Sequence, residues 1–184
     1  MILDNKKRIL WITQTAVFIA LLIVLQAAIA LLGTPLITGS IVNLLLITSV
    51  MTCGPFSGLT VAVVSPVVAK FLGIGPLWAL IPFIAVGNIV LVLIWHFIGN
   101  LSLNGKEYPV YIIALIVAAT AKFLVLYIGI VKIAVPVFLG LPEPQAMVIS
   151  NMFSIPQLIT ALVGGALAVA LFPRLKKALA GRKE

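Results

Sequence analysis

The sequence predicts an all-α integral membrane protein, a single bundle of six transmembrane helices with both termini cytoplasmic. Composition is the first reason: 63% of the residues are hydrophobic and 9% are charged, against about 25% charged in a soluble domain. Length is the second. The 184 residues hold about six spans of roughly 20 residues with short connections, forming one domain (1–184) with no room for a soluble catalytic unit. Charge placement is the third. A formal charge of +8 would suggest a nucleic-acid partner in a soluble protein, but most of it lies at the two chain ends, which argues for no nucleic acid and for a lipid bilayer.

The first span runs from Ile9 to Leu32, directly after the basic Lys6, Lys7 and Arg8. Ala28 and Ala30 form an A-x-A pattern, yet the apolar run is too long for a cleaved signal peptide. Within it, Ala16 and Ala20 lie four apart and share a helix face, smooth enough for another helix to approach closely. That helix can belong to this chain or to a partner. The second and third spans, Ser40 to Thr52 and Gly58 to Leu72, are short, so they tilt or lie partly shielded by protein. The fourth spans Leu77 to Ile98, the fifth Val110 to Val131 and the sixth Met147 to Phe172. Pro66, Pro82 and Pro156 interrupt the third, fourth and sixth, each freeing a backbone carbonyl for a neighbour or a ligand. Gly164, Gly165 and Ala161 give the last span a smooth packing stripe. The tail from Arg174 to Glu184 continues that helix into the headgroup layer.

Six spans place both termini on one side, together with nine of the twelve Lys and Arg residues. By the positive-inside rule that side is cytoplasmic. The loop from Gly99 to Pro109 is its one sizeable turn. Lys70 and Lys132 then fall near the outer ends of the third and fifth spans, and Lys122 alone sits at mid-membrane. An ammonium at that depth costs roughly 2.5 to 3.5 kcal/mol, so it persists where it faces protein, water or a ligand. Either it marks a solute pocket or its stem threads between helices and the head is capped by carbonyls and hydroxyls.

Three outward connections carry the non-helical signals: Gly33 to Gly39, Gly73 to Pro76, and Val135 to Pro144. They are rich in Gly and Pro but hold one charge between them, Glu143. They pack over something apolar as a lid, or are tight interfacial turns. Polar uncharged residues lie near the same end: Ser40, Asn43, Ser65, Trp78 and the deeper Asn88. Asn151, Ser154 and Gln157 follow at spacings of three, on one helix face. An amide in hydrocarbon must find a partner, which can be another helix or a small polar molecule. The candidate substrate-binding set is therefore Asn43, Lys70, Trp78, Asn88, Lys122, Lys132, Asn151 and Gln157.

Enzymatic chemistry is not expected, and neither a catalytic set, a metal site nor a cofactor is assigned. The one histidine, His96, stands beside Trp95 at the cytoplasmic end of the fourth span, and the four acids lie outside the apolar runs. Gly54 to Gly58 has the wrong spacing for an intramembrane serine protease. No nucleotide fingerprint occurs, so ATP-driven work falls to a partner chain. Cys53 stands alone and cannot form an internal disulfide.

The basic amino terminus, Ala16 and Ala20 in the first span, the apolar outer loops and the stretch Ile81-Pro82-Phe83-Ile84-Ala85-Val86-Gly87-Asn88 together resemble the substrate-binding S-component of an energy-coupling factor (ECF) transporter. The resemblance covers nearly the whole chain through short motifs. It implies a prokaryotic plasma-membrane protein that captures a water-soluble vitamin or precursor in an outer pocket closed by the first, third and fifth loops. It also implies docking through Ala16 and Ala20 on a transmembrane coupling subunit driven by two cytoplasmic ATPases. With Lys70, Lys132 and Lys122 in the outer half, the vitamin is expected to be anionic or neutral, as pantothenate or pyridoxine would be. A self-sufficient permease or channel and a non-transport assembly protein are the competing readings.

Overall fold

The computed structural model describes residues 2–30, 34–75, 77–101 and 107–180. Gly33, Pro76, residues 102–106 of the loop after the fourth span and residues 181–184 of the basic tail lie outside this set. The described residues are helical throughout apart from short turns: α1 (Ile2–Ala30), α2 (Pro35–Cys53), α3 (Pro55–Phe71), a 3-10 turn (Trp78–Leu80), α4 (Ile81–Gly99), α5 (Tyr108–Leu126), a π-helical continuation (Tyr127–Leu139), α6 (Glu143–Met152) and α7 (Ile155–Ala180).

Among the described residues five helical stretches are long and apolar enough to cross a membrane, as in a multi-pass membrane protein: Arg8–Ile29, Pro35–Cys53, Trp78–Gly99, Tyr108–Leu139 and Glu143–Leu175. The third expected span is α3, apolar but only 17 residues long. At 1.5 Å per residue it covers about 26 Å, short of a hydrocarbon core of about 30 Å. The outward surface is apolar, with Val24, Phe97, Val137 and Phe138 all well exposed, as befits a surface facing lipid rather than water.

Proline starts these helices more often than it breaks them. Pro35, Pro55, Pro82, Pro109 and Pro144 each sit at the first or second helical position, where the missing N–H costs nothing. Pro156 is the second residue of α7. The expectation that Pro82 interrupts the fourth span is thereby corrected: it opens α4. Pro66 does lie inside α3. The sixth expected span is two helices, because the chain turns at Phe153 and Ser154. Asn151 and Gln157 therefore do not share one continuous helix face, contrary to the regular spacing.

Two of the expected lid segments are more helical than their Gly and Pro content suggested. Pro35 to Gly39 forms the first turns of α2, and Val135 to Leu139 belongs to the π-helical stretch. That stretch stops at Gly140, whose φ of 52° is left-handed, a conformation glycine adopts without steric cost.

In the core, α2 packs most extensively on α7 and α4 on α5, with α3 against α4 and α5 against α7. The apolar centre includes Leu46, Ile47, Val61, Leu91, Trp95 and Ala118. A smaller cluster of Leu80, Leu126, Ile130 and Phe153 holds the π-helical stretch to the α6–α7 junction. Close approach of α2 and α7 depends on Gly164: a Cβ there would meet the carbonyl oxygen of Ser40 and come within 2.7 Å of the Asn43 Cβ. The expected smooth stripe on the last span thus brings a polar residue of α2 deep into the bundle. Ala16 and Ala20 are exposed on α1, so no helix among the described residues covers that face.

Candidate functional site

The site grows from one cation. Lys122 lies in the last two turns of α5, 4% exposed, and its ammonium donates to Asn43 Oδ1 at 2.6 Å and Asn88 Oδ1 at 2.7 Å. Both partners are buried neutral amides. Each amide is itself held: Asn88 Nδ2 donates to Ser65 Oγ at 3.0 Å and to the Ala62 carbonyl at 3.3 Å, and Asn43 Nδ2 reaches Thr160 Oγ1 at 3.5 Å. The Thr160 hydroxyl donates to the Gln157 carbonyl at 3.1 Å. One polar network therefore ties α2, α3, α4, α5 and α7 together at the same depth. Orienting both amide oxygens toward the lysine leaves their NH2 groups facing hydroxyls and a carbonyl, so the network is internally consistent in donors and acceptors.

An ammonium has three N–H donors, and the amides engage two. The side chain also lines a cavity of about 270 Å³ at the end of the bundle where α1 ends and α2 begins. Its polar wall includes Gln26, Asn43, Ser65, Asn88, Lys122 and Gln157. Its apolar wall comes from α1, α2, α3, α4 and the α6–α7 junction, through residues such as Ile29, Val42, Pro66, Ile84 and Phe153. The ammonium is thus capped by two side-chain carbonyls and also borders a cavity.

Of the eight residues expected to bind substrate, Asn43, Asn88, Lys122 and Gln157 line this cavity. Lys70, Trp78, Lys132 and Asn151 are not among its lining residues. Lys70 places its Nζ 6.0 Å from the Trp78 ring centroid, and Lys132 sits 5.4 Å from that of Tyr127, so both ammonium groups rest on aromatic faces. Asn151 is exposed. Gln157 has a second task, since its Nε2 donates to the Met152 carbonyl at 3.2 Å and bridges the turn between α6 and α7.

Two of the three expected lid segments border the cavity, through Thr34, Pro35, Thr38 and Gly39 and through Ile74 and Gly75. The third, 135–144, contributes none of its walls. The sequence reading missed Gln26 and Thr160. Gln26 is 2% exposed, and its Oε1 has no hydrogen-bond partner among the described residues. Its signal was an amide in the apolar first span, but Gln14 offers the same signal and periodicity does not choose between them.

Among the described residues no three His, Cys, Asp or Glu side chains group in a way that could hold a metal ion. What the arrangement supplies is hydrogen bonding and one positive charge inside an apolar shell, the makings of a recognition site. No protein-family model, no curated protein and no solved structure matches this chain.

Proposed function

We propose that this chain is the substrate-binding S-component of an ECF-type transporter, capturing a water-soluble vitamin or vitamin precursor in the cavity beside Lys122. The observation that carries the reading is a buried ammonium, fixed by two amides, on the wall of a cavity within a bundle of apolar helices. Intramembrane ionisable groups of this kind accompany solute and ion sites. The cavity lies near the lower end of the usual range of about 300 to 1,000 Å³, which favours a compact solute, such as pantothenate or pyridoxine, over a cobalamin-sized one.

In this reading α3 is a sixth, short span, and both termini are cytoplasmic, following the basic residues at the chain ends. The protein resides in a prokaryotic plasma membrane. Ala16 and Ala20 dock on the transmembrane coupling subunit, and two cytoplasmic ATPases supply the work. The exposure of both alanines supports docking over internal packing.

The test is reconstitution. In liposomes the chain with its coupling subunit and ATPases should accumulate a vitamin only with ATP, and the chain alone should move none. Transport by the isolated chain would replace this reading with a self-sufficient permease. Failure of every B vitamin, biotin, lipoate and nucleobase precursor to raise the melting temperature would favour a non-transport assembly role, because a bound ligand must stabilise the folded state by mass action.

A further inference from the structure

Two residues that line the cavity have hydrogen-bonding capacity that no described residue uses. The Lys122 ammonium spends two of its three donors on neutral amides. Gln26, buried near the end of α1, leaves Oε1 without a partner among the described residues. A buried acceptor without a donor is destabilising, and a buried cation neutralised only by dipoles is more so. Both residues line the same space; Gln26 Oε1 is itself occluded, so a solute entering the space relieves both once the carboxamide turns toward it.

We infer that the cavity recognises an organic monoanion at two points, its carboxylate on the Lys122 ammonium and a hydroxyl or N–H donor of the same molecule on the Gln26 carboxamide. This rests on the reading of the cavity as a solute site and narrows it. The cavity wall carries one cation, so a single negative charge leaves the buried pair neutral; a phosphate dianion would bury an uncompensated charge. The remaining wall is largely apolar, which suits a carbon skeleton between the two polar ends.

Matched pairs of compounds test this on the purified full chain in detergent. Nicotinate, pantothenate, lipoate and biotin are each compared in thermal shift with nicotinamide, pantothenol, lipoamide and biotinamide, which keep the skeleton and lose the charge. At least one acid should raise the melting temperature, and its uncharged counterpart should bind at least tenfold more weakly. The variant Gln26→Leu should do two things together: raise the melting temperature of the unliganded protein by about 2 to 4 °C, since an unsatisfied acceptor is gone, and weaken the stabilising acid at least tenfold. A merely structural glutamine would show a fall in the first measurement.

Equal stabilisation by acid and uncharged partner overturns the anion assignment and leaves the solute cavity standing. Stabilisation by none of the eight compounds also overturns the anion assignment, and the solute cavity itself falls only if the wider vitamin and precursor screen is silent too. Unchanged acid binding by Gln26→Leu removes Gln26 from the site. Lys122→Met should abolish the preference for the acid; where that variant fails to fold, the charged and uncharged comparison on the unaltered protein already reads the ammonium's part.

Discussion

Replacing Asn88 by leucine, close in size and apolar, tests whether the polar network holds the bundle together. The side chain makes three bonds: it accepts from Lys122 at 2.7 Å and donates to Ser65 Oγ at 3.0 Å and to the Ala62 carbonyl at 3.3 Å. Interhelical bonds between neutral groups in lipid average about 0.6 kcal/mol each, and a bond to a charged group is worth about 1.5 to 3 kcal/mol. The substitution should therefore cost about 3 to 4 kcal/mol. Asn43→Leu loses one charged bond and a long contact to Thr160 at 3.5 Å, and should cost less, about 2 to 3 kcal/mol. Unfolding in mixed detergent micelles, followed by loss of helical circular dichroism, measures both. The double variant Lys122→Met with Asn88→Leu should cost less than the two single changes added together, by about 1.5 to 3 kcal/mol, because the shared bond is counted twice in the singles. A smaller loss for Asn88→Leu than for Asn43→Leu, or strict additivity, would refute the network as drawn.

Gly164→Ala should destabilise by about 1 to 3 kcal/mol, since the new methyl meets α2 backbone that cannot move aside alone; a melting temperature equal to that of the unaltered protein would contradict the packing of α2 on α7. Ser65→Ala removes one acceptor from Asn88 and should cost only about 0.6 kcal/mol, so a loss near that of Asn88→Leu would show that the hydroxyl has a further partner. Ala16→Trp and Ala20→Trp, on an exposed face of α1, should leave the melting temperature and solute stabilisation of the isolated chain unchanged. In the proposed transporter they should abolish ATP-driven uptake by the assembled complex, and normal uptake by both would remove the docking role from this face.

Composition and the length of the apolar runs determined that these residues form apolar helices, because a backbone at membrane depth is satisfied only in helices or closed barrels and runs of about 20 apolar residues suit helices. It also singled out Lys122, Asn43 and Asn88, since each is a polar group where hydrocarbon is expected, and such a group must find a partner. Three-dimensional packing decided which partner. Nothing in the spacing of residues 43, 88 and 122 says that two amide oxygens meet one ammonium, because that depends on how α2, α4 and α5 cross, and the crossing is set by small residues such as Gly164 on a different helix. The prolines misled for a related reason: Pro82 and Pro156 read as interruptions within apolar runs, yet each starts a helix, and only the completed fold shows where one helix ends and the next begins. Lys70 and Lys132, near the outer ends of their spans, group with the mid-membrane Lys122 as candidates in the sequence, but the fold sets them on the rings of Trp78 and Tyr127. Gln26 was indistinguishable from Gln14 until the end of α1 was laid against the cavity. A sequence records which groups need a partner; the tertiary structure allots the partners, because contacts between helices far apart in the chain follow from shape and not from spacing.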